Sequence, residues 1–198
     1  MSTVAKIALF ALAGLLATAS LHRDPEAARP SGAAAATQRF AFPQHYREWI
    51  YLSSGFDMSY RPAAPVGHHA FDNVFVNPAA YKAFTATGTW PDKTVLVLEV
   101  REAEGRGSIN QSGHYQGGVV DVEVHVKDAA RFPGKWAFYA FANGKTGKLL
   151  PTSADCYRCH AEHGAVDTTF VQFYPTLLPI ARAKGTLAAS YREETTAR

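Results

Sequence analysis

Apolar and polar residues alternate through 119–127, VVDVEVHVK. Val120, Val122, Val124 and Val126 fall on one face; Asp121, Glu123 and His125 fall on the other, which predicts a strand. Strand signals recur in REWIYL (47–52), NVFVN (73–77), TVLVLEVRE (94–102) and WAFYAF (136–141), the last with aromatics on both faces. Two intervening stretches, 53–70 and 105–118, have the Gly, Ser and Pro composition of loops. NPAAYKAFTATG (77–88) reads as a short helix, with Asn77 as N-cap, Pro78 at the first helical position and Gly88 as the stop. Beyond residue 150 the pattern becomes helical over 153–164 and 167–183, with Ser153 and Asp167 as N-cap candidates. Strands first and helices last predict an α+β fold, mainly a twisted antiparallel β-sheet with a helical segment at the C-terminal end.

Composition adds boundaries. The chain has 198 residues, 47% of them hydrophobic and 12% aromatic, enough for one buried domain. A net charge of +3 with scattered basic residues gives no nucleic-acid footprint. Residues 1–19 have a signal-peptide pattern: Lys6, an apolar run over 7–16, then Ala17-Thr18-Ala19. That run falls short of the roughly 20 residues a spanning helix needs. A cleaved export signal and a periplasmic protein without a membrane span are expected, with an uncleaved anchor as the alternative. Residues 20–39 read as a disordered leader, 40–191 as the folded domain and 192–198 as a frayed charged tail.

The only two cysteines lie in DCYRCHAEHG (155–164). A disulfide leaves His160 unexplained. A zinc site usually needs four protein ligands, and no second paired motif is present. A thioredoxin-like C-x-x-C belongs in a βαβ context, which is missing here. Covalent haem c uses all three residues: Cys156 and Cys159 as thioether donors and His160 as axial iron ligand. A redox or structural C-x-x-C remains the alternative.

Several segments carry a resemblance. YREWI (46–50), NVFVNPAAY (73–81), TVLVLEV (94–100), VEVHVKD (122–128), WAFYAF (136–141), CYRCH (156–160) and FVQFYPTL (170–177) together resemble the cytochrome P-460 family, which includes the cytochromes c′-beta. The resemblance implies a sheet-dominated, often dimeric fold and one haem c held by the C-terminal helical segment. It also implies a five-coordinate iron with an open distal side. Cytochromes P-460 oxidise hydroxylamine or bind its products and have a lysine joined to the haem. Cytochromes c′-beta lack that link and bind small gases such as nitric oxide. At the lysine's place this chain has Leu98, and Lys82, Lys93 and Lys127 are poor substitutes. A distal-pocket Leu98 and no lysine–haem link are therefore expected. The family's distal acid corresponds to Glu123, a candidate acid or base, whereas Asp121 and His125 are expected to be solvated or structural.

His68, His69, His114 and Met58 are weaker candidates for a sixth iron ligand, and His163 is expected at the surface. Of the aromatics, Phe170, Phe173 and Tyr174 have helical spacing suited to packing on a sheet or porphyrin. The leading expectation is a monohaem c-type cytochrome binding or processing small nitrogen-oxide ligands. Alternatives are a hydroxylamine- or nitric oxide-oxidising oxidoreductase using Glu123 with a redox partner cytochrome, and a plain electron carrier. A homodimer is expected from the resemblance alone.

Overall fold

The computed structural model describes residues 39–59, 68–141 and 146–196. The expected signal peptide and nearly all of the leader lie outside these residues. Among them are seven strands: β1 (Arg39–Ala41), β2 (Ile50–Phe56), β3 (Ala70–Val76), β4 (Val95–Glu104), β5 (Tyr115–Lys127), β6 (Trp136–Ala140) and β7 (Thr146–Leu149). They form one sheet in the order β1-β7-β6-β5-β4-β3-β2, every neighbouring pair antiparallel. Four helices follow the expected division: α1 (Pro78–Thr87) lies between β3 and β4, while α2 (Asp155–His163), α3 (Leu178–Lys184) and α4 (Ala189–Thr196) close the chain. The fold is α+β.

Helix α1 starts and stops where its sequence dictates. Pro78 occupies the first turn, where its missing N–H costs nothing, and Gly88 ends the helix at φ 77°. The later segment departs from the helical reading of 167–183. Asp167 and Thr168 both have positive φ (50° and 60°), so Asp167 caps no helix. The chain turns there, makes a short 3-10 turn at Val171–Phe173 and enters α3 only at Leu178. Ala154, not Ser153, is the N-cap of α2. Residues 192–196 continue α4 where the composition suggests fraying. Strands β1 and β7 carried no pattern of their own, being three and four residues long.

The sheet is buried on both faces. One face packs Leu52, Val76, Leu96 and Trp136 against Phe84 of α1, Trp90 and the 165–181 segment. The other packs Val97, Val122, Val124 and Val126 beneath Tyr46, Phe132 and Tyr139, with Phe40 and Phe42 at the edge. This changes the reading of β5. Its Asp–Glu–His face does not look into solvent but toward the C-terminal segment, and His125 is only 6% exposed. Val120, expected to share the buried valine face, is 57% exposed. Val100 pairs with Asp121 and Arg101 with Val119, so Val120 is the extra residue of a bulge and loses its place in the alternation.

Candidate functional site

The site is built from one helix and one sheet face. On α2, Cys156, Cys159 and His160 stand three and four residues apart, which puts them on a common face. Both thiols are free and half-buried. Burial raises the Cys156 thiol pKa.

His160 is fixed in one tautomer. Its Nδ1 lies 2.8 Å from the Thr168 carbonyl oxygen, which can only accept, so Nδ1 carries the hydrogen. Burial lowers the imidazole pKa to about 4, keeping it neutral at ordinary pH. The lone pair is therefore on Nε2, which has no hydrogen-bond partner among the described residues. The left-handed pair Asp167–Thr168 turns this carbonyl toward the ring. Gly164 allows the approach: a Cβ there would sit 2.5 Å from the His160 carbonyl oxygen and 2.8 Å from Thr168 Cα. Aromatic rings hold the imidazole, with centroids at 4.1 Å for Phe170, 4.7 Å for Phe138 and 4.9 Å for His125.

His160 opens on a cavity of about 320 Å³, within the range of small-ligand and cofactor sites. Val74, Leu96 and Leu98 form its sheet floor. Phe138, Phe170, Phe173 and Tyr174 supply aromatic walls. Asp72 and Glu123 are its acids. Leu98 is directly paired with Glu123 across β4 and β5. Burial raises the Glu123 pKa first, with Asp121 and Asp72 adding like-charge repulsion. A second cavity, about 550 Å³, shares His160 and Phe138 and is otherwise lined by residues of 131–136 and 149–152 with Tyr157, Ala161 and Thr168.

The sequence-predicted residues Leu98, Glu123 and His160 thus come together around one space. Of the sixth-ligand candidates, Met58 lines the cavity and His68, His69 and His114 do not. His69 instead stacks on Phe56, contacts His114 and lies 2.5 Å from Asp57. His163 is exposed and meets Glu194 at 3.4 Å. No lysine lines the cavity among the described residues. Lys93 pairs with Asp128, while Lys127 donates to Asp167 and to the Trp90 carbonyl.

Two lining residues escaped the sequence reading. His125, expected to be solvated or structural, is buried beside His160, stacked 3.9 Å over Phe138, with neither ring nitrogen hydrogen-bonded. Burial holds its pKa well below the usual histidine value, with a smaller effect from His160. Asp72 lies one residue before the stretch recognised as a strand; its phase with Val74 was the available signal.

An imidazole with a free Nε2, aromatic walls and an adjacent cavity are the furniture of a haem-binding cytochrome. Residues 43–171 match the family model described as Cytochrome P460, and the chain belongs to that family. No curated protein matches the chain as a relative.

Proposed function

We propose that the protein is an exported monohaem c-type cytochrome that binds small nitrogen-oxide ligands at a five-coordinate iron. The observation that carries this reading is His160: a neutral imidazole, tied at Nδ1 and unclaimed at Nε2, facing a cavity with an apolar floor. Cys156 and Cys159 stand on its helical face as the thioether donors. When bound, the haem supplies an iron centre with one open position for a small ligand.

The chain's own residues set the surroundings. Thr168 orients the proximal ring, as a carbonyl behind a ligating histidine does. Leu98 and Val74 give the pocket an apolar floor, which suits small neutral molecules. Leu98 in this place, with Lys93 and Lys127 engaged elsewhere, supports a haem without a lysine link. Exposed Tyr115, Val119 and Val120 on β5 offer a face for the expected homodimer.

A second reading is favoured by Glu123, whose carboxylate is made a stronger base by its burial at the cavity wall. Such a carboxyl can take a proton from a bound N–H or O–H group. The protein would then oxidise hydroxylamine or nitric oxide and pass electrons to a partner cytochrome.

An absorption spectrum of protein made with haem c maturation machinery tests the first reading. Haem that survives denaturation, a high-spin spectrum and a shift with carbon monoxide or nitric oxide are expected. A far red-shifted Soret band would reveal a lysine link, and a low-spin, gas-inert spectrum would assign Met58 or another residue as sixth ligand. Turnover of hydroxylamine that is lost in Glu123→Ala would establish the second reading.

A further inference from the structure

We propose that Asp72, together with Glu123, makes the distal cavity select against anionic ligands. This rests on the haem-bearing reading of the same cavity. Asp72 stands on β3 and Glu123 on β5, with β4 between them, and both line the cavity. Asp72 shares its strand face with Val74, and Glu123 is paired with Leu98, so the two carboxylates flank the apolar floor. Neither has a hydrogen-bond partner among the described residues. Burial and neighbouring acids favour the neutral form of each, Asp57 acting on Asp72 and Asp121 and Asp72 on Glu123, so the selection against anions strengthens as pH rises and both carboxyls ionise.

Nothing in the lining offsets this charge. No lysine or arginine faces the cavity among the described residues. Arg101, next to Val100, turns instead to Glu99 at 2.6 Å and to the Gly117 carbonyl at 2.7 Å. Asp121 is half-buried, and its carboxylate accepts from the Val122 amide at 2.8 Å. Asp57 is paired with His69. The cavity also holds an independent sign that it receives a ligand: His125 is more than nine-tenths buried, lines it and has both ring nitrogens unpartnered.

A unit negative charge within several ångströms of a bound anion, in a partly enclosed site, weakens binding by about tenfold. A neutral ligand feels no such penalty. Asp72 and Glu123 therefore act as specificity residues, turning away azide- or nitrite-like anions while leaving uncharged molecules free to bind.

The test compares ligands of different charge on haem-loaded protein at one alkaline pH, where the carboxylates are ionised. Azide and imidazole are titrated against the ferric form, and carbon monoxide against the ferrous form, by absorption. Asp72→Asn and Glu123→Gln should each tighten azide about tenfold and leave imidazole and carbon monoxide within about twofold. Asp72→Glu, which keeps the charge, should bind azide as weakly as the wild type. Added salt should tighten azide in the wild type more than in the double variant. Unchanged azide affinity in both neutral variants, with normal carbon monoxide binding, would overturn the inference and leave the haem reading standing. So would equal gains for azide and imidazole, which would mean a roomier site rather than a changed charge. A wild type that binds neither carbon monoxide nor imidazole would instead overturn the open-site reading, and this inference with it.

Discussion

His160 depends on a residue that makes no contact with its ring. The Thr168 carbonyl reaches Nδ1 only because Gly164 leaves room for the backbone to fold back on the end of α2. Gly164→Ala would press a methyl into two backbone segments that cannot both yield. We expect it to cost about 1–3 kcal/mol in denaturant unfolding, as overpacking does. In haem-loaded protein it should also alter the iron–histidine stretching frequency. Glu123 points the other way. Its proton is bound more tightly in the fold than in the unfolded chain, so the ionised form opposes folding. Glu123→Gln should raise the thermal midpoint at pH 7–8, and the gain should vanish as pH falls below about 4, where the carboxyl is protonated in both states. A midpoint lowered at neutral pH would show that the carboxylate has a partner in the fold. Legibility at this scale followed chemical identity. Cys156, Cys159 and His160 announce themselves by type and spacing. Asp72 and His125 are ordinary polar residues whose position only pairing across the sheet reveals.

Among the elements, the alternation of β5 was readable but the environment of its two faces was not. A half-buried strand and a strand covered on both sides produce the same period when the second cover comes from far along the chain. Here it comes from 165–174, past a turn that composition reads as helix. A buried link helps to hold that turn: Trp90 Nε1 donates to Thr169 Oγ1 at 2.8 Å, and Thr169 Oγ1 donates to the Val166 carbonyl at 2.6 Å. Thr169→Val keeps the shape and strands the indole N–H. A loss of about 1–3 kcal/mol is expected, the cost of a buried unsatisfied donor, and urea unfolding would measure it. On the opposite face, Glu99 is a second buried anchor. Burial alone would raise its pKa, but hydrogen bonds from Arg101, Tyr46 and Arg47 outweigh that and leave it lowered. This cluster therefore stabilises the fold above the ordinary carboxylate range and loses that contribution as pH falls through the lowered value. The first strand was expected at 47–52, yet Tyr46 and Arg47 belong to a 3-10 turn that exists to meet Glu99. Local propensity is silent about a partner 52 residues away.

At the scale of the whole molecule, stability and candidate chemistry are unequally distributed. The sheet has fully buried residues on both faces, among them Val97, Val76 and Tyr139. Helix α2, which carries the cysteines and His160, has none. Its His160 lines the cavity, so a group that fills that space adds contacts to the helix. Filling it by a covalently held group should stabilise the C-terminal segment far more than the sheet, since a ligand that binds only the folded state adds its binding free energy where it binds. Hydrogen exchange on haem-loaded protein and on a Cys156→Ala/Cys159→Ala variant would separate the two regions. The variant should keep strong protection in β3 to β6 and lose at least tenfold in 155–174, because local opening there no longer has to break haem contacts. Uniform loss across sheet and helix would mean that the haem is required for the whole fold. Unchanged protection in 155–174 would mean that α2 packs without it, and the cavity would then need another explanation.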